Sequence, residues 1–395
     1  MSKRSVRSAD VTDRRVFVRV DFNVPLEDGR IGDDTRIRAA IPTIQLLRER
    51  GARVILASHF GRPKGKVVEV LRLSPIAAHL STLIDAPVTT VPEIIGPAVE
   101  AAVAKLGPSD VLLLENLRFD PREEKNDPEF AKSLVGLADL YINDAFGAAH
   151  RAHASTEGIA HHLPAYAGLL MLGELEALGR LLEKPERPFI AILGGAKVSD
   201  KLGVIDNLLS KVDGLIVGGG MANTFLLAQD VKIGKSLAEP DLRDEAGRLI
   251  RKSAERGITV HLPTDVIVAK DIDAGSGQEV PVESVDSDAS IFDIGPKTQR
   301  AYADVIAQAK TIFWNGPMGV FEHPQFAAGT KAVAQAVASS GATSVVGGGD
   351  SVAALEELGL ADKITHVSTG GGASLEFIEG KDLPGVSIIP DEDAR

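Results

Sequence analysis

The second half of the chain repeats one pattern, in which a short apolar run rich in β-branched residues leads directly into a cluster of glycines. The runs are Phe189 to Leu193, Leu215 to Val217, Ser344 to Val346 and Thr365 to Thr369. The glycine clusters are Gly194-Gly195, Gly218-Gly219-Gly220, Gly347-Gly348-Gly349 and Gly370-Gly371-Gly372. Such runs are typical of buried parallel strands, and helical patterns clearly follow three of them. A strand that ends in bare backbone and opens a helix offers unpaired N–H groups to an anion, so the pattern predicts phosphate-binding turns.

The glycine clusters match neither standard nucleotide-binding fingerprint. The G-x-G-x-x-G pattern is not completed, since Asn223, Val352 and Leu375 occupy the third position after three of the clusters. The segment 234–236 resembles the end of a P-loop, but Gln229 stands where the first glycine must be. For each cluster alone, a tight turn that needs glycine's positive φ is the alternative interpretation. Four clusters in one half of the chain favour phosphate binding.

In the first half of the chain, polar and basic residues follow the apolar runs. The predicted strands are Val16 to Asn23, Val54 to Ala57, Val111 to Leu114 and Leu140 to Ile142. Asp34 is a predicted N-cap of a helix that runs to about Arg50, with Arg36 in its first turn. A cation there is unfavourable beside the helix dipole, and an anion held between Arg36 and the helix end would resolve the conflict.

The arginines and histidines that follow these strands are expected to converge. Residues just past the carboxyl ends of parallel strands lie along one crevice, and arginine's rigid fork suits phosphate and carboxylate oxygens. A small polyanion is therefore the expected ligand, although each arginine alone could be a solvated surface residue. His150 and His153 have the helical spacing of a metal pair. No cysteine or H-E-x-x-H pattern supports that alternative, and the arginines would repel a cation.

Length and composition set the broad class. A chain of 395 residues is too long for one ordinary core, and 44% hydrophobic with 25% charged residues is typical of a soluble globular protein. The absence of cysteine excludes disulfides and thiolate metal sites. A net charge of −12 argues against nonspecific nucleic-acid binding. No apolar run approaches the length of a membrane span and no signal-peptide pattern follows Met1, so a cytoplasmic enzyme is expected.

Seven segments together resemble the phosphoglycerate kinase family, in that family's order and across nearly the whole chain. They are Arg19–Pro25, Ser58–Pro63, Glu115–Phe119, Asp144–His153, Gly194–Lys201, Phe313–Glu322 and Gly347–Ser351. The resemblance implies an α/β fold of two doubly wound, parallel-sheet, Rossmann-like domains joined by a hinge helix. It implies glycolytic, magnesium-dependent, reversible phosphoryl transfer between 1,3-bisphosphoglycerate and ADP, giving 3-phosphoglycerate and ATP by direct in-line transfer after domain closure. A monomer that binds these small molecules, but neither nucleic acid nor a membrane, is expected.

The same resemblance implies a domain organisation. Residues 1–172 are expected to bind 3-phosphoglycerate or 1,3-bisphosphoglycerate, and residues 186–375 to bind the magnesium nucleotide. Residues 173–185 would be the hinge helix, and residues 376–395 a tail that returns to the N-terminal domain. The leucine and glutamate spacing from Leu172 to Lys184 independently favours an amphipathic helix that ends before Pro185.

Site residues are also implied by the resemblance, position by position. The substrate-binding residues would be Asp21, Phe22, Asn23, Arg36, His59, Phe60, Gly61, Arg62, Arg118, His150 and Arg151, with His153 in the same basic patch. The nucleotide-binding residues would be Gly195, Lys197, Lys201, Asn315, Pro317, Glu322, Gly348, Gly349, Asp350 and Ser351. The catalytic residues would be Arg36, Lys197, Gly371 and Gly372. Asp350 is expected to bind Mg²⁺ as part of MgADP or MgATP, because a carboxylate beside phosphates needs a cation between them.

The sequence departs from the family pattern at one position, and two other classes of protein are alternatives to a phosphoglycerate kinase. Phe292 precedes Asp293 where the family often has glycine, which puts the shape of the adenine pocket in doubt. A nicotinamide dehydrogenase would use similar strand-turn-helix units, but the missing G-x-G-x-x-G and the arginine-lined crevice count against it. A catalytically inactive relative that binds nucleotide or anions would keep the fold and lose charged site residues. None of the implied site residues is lost.

Overall fold

A computed structural model describes residues 3–27 and 30–392, which form two compact units. Unit 1 contains the chain up to Glu176 together with the chain from Asp382, and unit 2 runs from Ala177 to Lys381. Each unit is built around a six-stranded sheet in which all neighbouring strands are parallel. Within the described residues, no helix is long and apolar enough to cross a membrane.

The strands of unit 1 are β1 (Arg15–Arg19), β2 (Leu26–Glu27), β3 (Arg30–Ile31), β4 (Arg53–Ala57), β5 (Val88–Thr90), β6 (Val111–Leu113), β7 (Leu140–Asn143) and β8 (Ala165–Ala167). Six of them form the sheet in the order β5-β6-β4-β1-β7-β8, while β2 and β3 form a short antiparallel pair. The helices are α1 (Thr35–Glu49), α2 (Ser74–Leu83), α3 (Pro97–Ala104), α4 (Pro121–Glu124), α5 (Pro128–Val135) and the start of α6 (Leu169–Glu183).

Unit 1 has a hydrophobic core on each face of its sheet. Val16 and Val18 belong to one buried cluster, whereas Phe17 between them belongs to the other. This alternation follows from the two-residue period of a strand. Helices cover both faces, which explains why the strands are apolar at nearly every position. The predicted doubly wound parallel fold is therefore confirmed.

Unit 2 repeats this architecture. Its strands are β9 (Phe189–Leu193), β10 (Gly214–Val217), β11 (Thr259–His261), β12 (Asp265–Ala269), β13 (Gln278–Pro281), β14 (Ser290–Ile294), β15 (Thr311–Asn315), β16 (Thr343–Gly347) and β17 (His366–Val367). Its helices are α7 (Leu202–Leu208), α8 (Gly219–Ala228), α9 (Arg243–Glu255), α10 (Pro296–Ala307), α11 (Ala328–Ser339), α12 (Gly349–Glu357) and α13 (Gly372–Glu379). The parallel sheet has the order β11-β10-β9-β15-β16-β17.

Unit 2 also contains an antiparallel sheet of order β13-β12-β14, which the sequence patterns do not predict. Strand β13 is mostly exposed and carries Gln278, Glu279 and Pro281. A strand of this kind has no apolar run to signal it. The sheet has its own small apolar cluster, which includes Val266, Val268 and Val282.

Helix α6 carries the chain from unit 1 into unit 2, and it begins at Leu169, earlier than the apolar spacing predicts. The Leu169 N–H donates to Thr43 Oγ1 at 2.8 Å, and Leu170 and Met171 donate to Asp144 Oδ1 at 3.0 and 3.3 Å. Burial raises the pKa of the Asp144 carboxyl to about 6. These capping groups come from distant parts of the chain, so local spacing could not reveal them.

The C-terminal segment joins unit 1 from Asp382 onward and includes α14 (Pro384–Ser387). Gly385 donates its N–H to the Ala149 carbonyl at 2.9 Å, and Asn143 Nδ2 donates to the Gly385 carbonyl at 2.9 Å. The preceding helix α13 lies in unit 2, where Asn207 Nδ2 donates to the Ile378 carbonyl at 2.6 Å. The change of unit thus falls after α13, a few residues beyond the position 376 that the resemblance implies.

Candidate functional site

Basic side chains gather at the carboxyl ends of β1, β4 and β6 in unit 1. We call this group, together with the neighbouring carboxylate of Asp21, the basic pocket; its residues are Arg19, Asp21, Arg36, His59 and Arg118. Arg19 ends β1, His59 follows β4, and Arg118 follows β6, whereas Arg36 lies in the first turn of α1. The pairing of β4 with both β1 and β6 brings these strand ends together.

Hydrogen bonds connect the predicted substrate residues into one network. Arg36 Nη1 donates to the Asn23 carbonyl at 3.0 Å and lies 3.5 Å from Asp21 Oδ2. Asn23 Oδ1 accepts from the Gly61 N–H at 2.8 Å, and the Gly61 carbonyl accepts from Arg118 Nη1 at 2.9 Å. The loops after β1, β4 and β6 are therefore held in register around the basic pocket.

Two buried polar side chains shape the backbone of this network. The Phe22 N–H donates to Ser58 Oγ at 2.9 Å. The Asn116 side chain makes two hydrogen bonds to the backbone of Phe60. Its Oδ1 accepts from the Phe60 N–H at 3.1 Å, and its Nδ2 donates to the Phe60 carbonyl at 2.7 Å. These bonds explain why Phe22 and Phe60 occupy fixed positions at the site. Arg62, the next predicted residue, is exposed and has no hydrogen-bond or ion-pair partner within the described part of the chain.

His150 and Arg151 lie in the turn that follows β7, where Arg151 Nε donates to His150 Nε2 at 3.0 Å. Burial, together with the positive charges of Arg19, Arg118 and Arg151, lowers the pKa of the nearby His153 to about 3. These residues therefore share one positive electrostatic field.

Across residues 3–27 and 30–392, no group of three or more histidines or carboxylates is arranged to hold a metal ion.

Arg19 is a residue of the basic pocket that the sequence analysis did not single out as a site residue. Its side chain is 1% exposed, although arginine is rarely buried without a specific partner. Its Nε donates to Ser155 Oγ at 2.8 Å, and its Nη2 lies 3.2 Å from His59 Nδ1. An arginine directly after the apolar run Val16 to Val18 was the available signal. Nothing in the sequence pairs it with Ser155 or His59.

Arg118 also carries a buried donor that no hydrogen bond uses. Its Nε lies 3.3 Å from Glu124 Oε1, yet it has no hydrogen-bond partner among the described residues. Burial is the largest cause of the lowered pKa of this guanidinium. Buried N–H groups in folded proteins almost always have acceptors. An anionic ligand in the basic pocket would supply one.

In unit 2, the glycine turns bring three backbone segments into close contact. A methyl group on Gly194 would lie 2.0 Å from the Pro317 carbonyl oxygen, and one on Gly218 would lie 2.4 Å from Met318 Sδ. The Gly195 N–H donates to the Pro317 carbonyl at 3.0 Å. Only glycine permits this approach, so the turns after β9, β10 and β15 pack directly on one another.

Beside these turns lies a cleft of about 530 Å³, built entirely from unit 2. Four predicted nucleotide-binding residues line it, namely Gly195, Pro317, Glu322 and Asp350. Much of the remaining wall is apolar and includes Leu237 and Phe292. A concave, mostly apolar cleft with a few polar groups is typical of a small-molecule site.

Phe292 forms part of the wall of this cleft. Its ring packs on that of Phe326 with 4.8 Å between ring centroids, and its carbonyl accepts from the Val320 N–H at 2.8 Å. The departure noted in the sequence therefore lies at the surface where a ligand would bind.

Lys201 and Asn315 meet at the ends of β9 and β15. Lys201 Nζ donates to the Gly194 carbonyl at 2.6 Å and to the Asn315 carbonyl at 2.8 Å. Burial lowers the pKa of Lys201 to about 8, although Asp200 and Asp350 oppose this effect. Asn315 Nδ2 is buried without a hydrogen-bond partner in the described structure, and a methyl group on Gly348 would lie 3.2 Å from it.

Asp350 lies in the first turn of α12, directly after the Gly347-Gly348 turn. Burial and the nearby Glu322 raise the pKa of its carboxyl, and Lys201 opposes the rise. Ser351 has a structural contact as well, since its Oγ accepts from the Gly316 N–H at 2.7 Å.

The remaining predicted residues of unit 2 lie on its loops. Lys197 is exposed between β9 and α7, and Gly349 is the first residue of α12. Gly371 has a positive φ of 53° and precedes α13, which starts at Gly372. Lys197, Gly371 and Gly372 do not line the cleft as it stands.

Solved structures with this fold place the chain among two-domain α/β kinases. The structure of phosphoglycerate kinase from Coxiella burnetii shares 45% sequence identity and covers 98% of both chains with a TM-score of 0.88. The crystal structure of phosphoglycerate kinase from Pyrococcus horikoshii OT3 shares 36% identity with the same coverage and TM-score.

Sequence comparison makes the assignment specific. The profile of the phosphoglycerate kinase family matches residues 6–381. The phosphoglycerate kinase of Moorella thermoacetica is 59% identical over 393 residues, covering 99% of this chain and 100% of the relative. That of Herpetosiphon aurantiacus is 58% identical over 394 residues, with the same coverage. The chain therefore belongs to the phosphoglycerate kinase family, and it is a phosphotransferase.

The tight packing of the glycine turns generates a prediction. Gly194→Ala should lower the free energy of unfolding by about 1–3 kcal/mol, because the new methyl group overlaps a backbone oxygen that cannot move freely. Gly179→Ala is the matched control in unit 2. It lies inside α6 with no atom within 4 Å of the new methyl group, so it should raise stability by about 0.5–1 kcal/mol. Urea unfolding followed by the fluorescence of the buried Trp314, the single tryptophan, measures both. Equal effects of the two substitutions would contradict the packing argument.

Proposed function

We propose that this chain catalyses reversible phosphoryl transfer between 1,3-bisphosphoglycerate and ADP, giving 3-phosphoglycerate and ATP. The proposal assigns the phosphoglycerate to the basic pocket of unit 1 and the nucleotide to the cleft of unit 2. The observation that carries it is the pair of buried donors without hydrogen bonds, one in each unit. Arg118 Nε and Asn315 Nδ2 both lie at strand ends, among the groups expected to meet an anion.

The basic pocket suits a small molecule with a carboxylate and a phosphate. Arg36, Arg118 and the exposed Arg62 supply permanent positive charge, and His150 and Arg151 extend the same field. Asp21 and Asn23 add acceptors and donors that could bind the glycerate hydroxyl. Arginine binds carboxylate and phosphate through paired N–H groups, which fixes the orientation of the ligand as well as holding it.

The cleft of unit 2 suits a nucleotide. Its apolar wall, which includes Phe292, offers surface for a base, and the exposed Glu322 could accept from ribose hydroxyls. The N–H groups of Gly348, Gly349 and Ser351 at the start of α12 could bind phosphate oxygens. Asp350 would hold Mg²⁺ together with those phosphates, and the bound ion would neutralise charge on the nucleotide.

The mechanism follows from what phosphoryl transfer requires. An acyl phosphate already carries a good leaving group, so neither a covalent intermediate nor a strong base is needed. The protein has to align donor and acceptor in line and neutralise the charge on the moving group. We assign this neutralisation to Arg36 from unit 1 and to Lys197 from unit 2. The N–H groups of Gly371 and Gly372 would bind the same phosphoryl oxygens.

Because the two ligands are assigned to different units, the units must close for the reaction to occur. Closure would also exclude water from a reactive phosphoryl group. The segment around α6, which links the units along the chain, is the natural hinge. The basic pocket and the cleft are both built from a single chain, so a monomer is sufficient for the proposed reaction. The expected location of this reaction is the cytoplasm.

The direct test is phosphorylation of 3-phosphoglycerate by the purified chain, followed as ADP release that depends on both Mg²⁺ and ATP. Turnover is expected with 3-phosphoglycerate and not without it. Binding of both ligands without turnover would instead indicate a catalytically inactive relative. Binding of NADH in place of ATP would favour a dehydrogenase.

Arg36→Ala is expected to reduce kcat by about 10³-fold or more, while the KM for 3-phosphoglycerate rises far less. The reason is that Arg36 is assigned to the transferring phosphoryl group, whose charge is shared over more oxygens in the transition state. Arg38→Ala is the matched control, because Arg38 lies in the same helix, is 59% exposed and, among the described residues, pairs with Asp34 alone. Steady-state kinetics of both variants decide the point. A raised KM with unchanged kcat would make Arg36 a binding residue only.

Asp350→Asn keeps the shape of the side chain and removes the charge assigned to Mg²⁺. Turnover should fall steeply and the Mg²⁺ concentration needed for half-maximal activity should rise, whereas 3-phosphoglycerate should still bind normally. Isothermal titration with MgADP and, separately, with 3-phosphoglycerate measures the two sites independently. Asp362→Asn, an exposed carboxylate of unit 2, is the control. Wild-type Mg²⁺ dependence of Asp350→Asn would refute the assignment.

A further inference from the structure

A fully buried carboxylate lies behind the basic pocket and has no role in the mechanism above. Glu123, in α4, is 0% exposed. Its Oε1 accepts from Ser155 Oγ at 2.5 Å, and its Oε2 accepts from the Ser155 N–H at 3.1 Å. Both oxygens therefore act as acceptors, as those of an ionised carboxylate do. Burial raises the pKa of this carboxyl, whereas the charge of Arg19, the two bonds from Ser155 and the charge of Arg118 oppose the rise and favour the ionised form.

The buried bonds that start from Glu123 have a fixed direction. A guanidinium can only donate, so the Arg19 Nε–H donates to Ser155 Oγ. The Ser155 hydroxyl is then left with its own hydrogen, which it gives to Glu123 Oε1. The resulting chain runs from Arg19 through Ser155 to Glu123. Together with the bond from Arg19 Nη1 to the Val20 carbonyl at 2.5 Å, it holds the Arg19 guanidinium in one orientation.

The other end of Arg19 determines the state of His59. Arg19 Nη2 lies 3.2 Å from His59 Nδ1, and because the guanidinium must donate, Nδ1 must accept. A histidine whose Nδ1 accepts is neutral and carries its proton on Nε2. No described residue hydrogen-bonds to His59 Nε2, so its N–H is available to a ligand.

The charges around His59 agree with a neutral ring. Burial lowers the pKa of His59 well below its ordinary value, and the positive charges of Arg19, Arg118 and Arg36, together with His153, lower it further. A carboxylate oxygen, Asp21 Oδ1, lies 3.8 Å from His59 Nδ1.

We propose that Glu123 is a positioning residue for substrate binding, which acts through Ser155 and Arg19 to hold His59 as the neutral tautomer with its proton on Nε2. His59 then offers the substrate one N–H donor of fixed position, without a further charge in an already positive pocket. The effect on substrate rests on the function proposed above, whereas the tautomer can be tested without any substrate.

The first experiment uses the whole wild-type chain labelled with ¹⁵N-histidine. Long-range ¹H–¹⁵N correlation spectra near neutral pH distinguish protonated from unprotonated ring nitrogens. The His59 signals are assigned by their loss in His59→Gln, with the exposed His162 as the reference in the same spectrum. We expect an unprotonated Nδ1 and a protonated Nε2. An imidazolium, or the tautomer with its proton on Nδ1, would overturn the proposal whether or not the variants below fold.

The second experiment breaks the chain of bonds. Ser155→Ala and Glu123→Gln should raise the KM for 3-phosphoglycerate about tenfold with a smaller change in kcat, and should give His59 a mixed tautomer signature. Ser155→Thr retains the hydroxyl and should keep the wild-type KM and the wild-type His59 tautomer. Ser133→Ala, on the exposed face of α5, should change neither the KM nor the tautomer. A wild-type KM and a single Nε2–H tautomer in Ser155→Ala would contradict the proposal. If wild type failed to bind 3-phosphoglycerate, the proposed function would fail and the tautomer result would still stand.

Discussion

Buried cations at the ends of parallel strands are the constraint on which both units depend. A parallel sheet directs its strand ends toward one edge, and a charge buried there is costly unless acceptors surround it. Unit 1 meets this requirement for Arg19 with Ser155 and the buried Glu123 behind it. Unit 2 meets it for Lys201 with two backbone carbonyls, those of Gly194 and Asn315.

These two solutions leave the units with different chemistry. In unit 1, Asp21 lies beside Arg36 and Glu124 beside Arg118, while Arg62 has no such partner in the described part of the chain. The function proposed here assigns an anion to this pocket. In unit 2, Glu322 and Asp350 lie near each other at a cleft edged by glycine backbone, and burial with mutual repulsion raises the pKa of Asp350. We propose that this edge binds a ligand that brings its own cation, as a magnesium nucleotide does.

The sequence predicted what depends on local pattern. Strands such as β4 and β9, and the helix that begins after Asp34, follow directly from apolar runs and a capping residue. Placement at strand ends also predicted that Arg36, His59 and Arg118 would lie close together. What it missed depends on contacts between distant segments. The partners of Arg19, the caps of α6 from Thr43 and Asp144, and the exposed strand β13 carry no local signal.

The central claim is that two ligands bound on separate units must be brought together by closure. Small-angle X-ray scattering of the whole chain measures this most directly. The four samples are the free protein, the protein with 3-phosphoglycerate, the protein with MgADP, and the protein with both, a pair that cannot react. The account predicts the smallest radius of gyration with both ligands, because only the pair favours the closed state. A radius of gyration that stayed constant in all four samples, with both ligands shown to be bound, would contradict it.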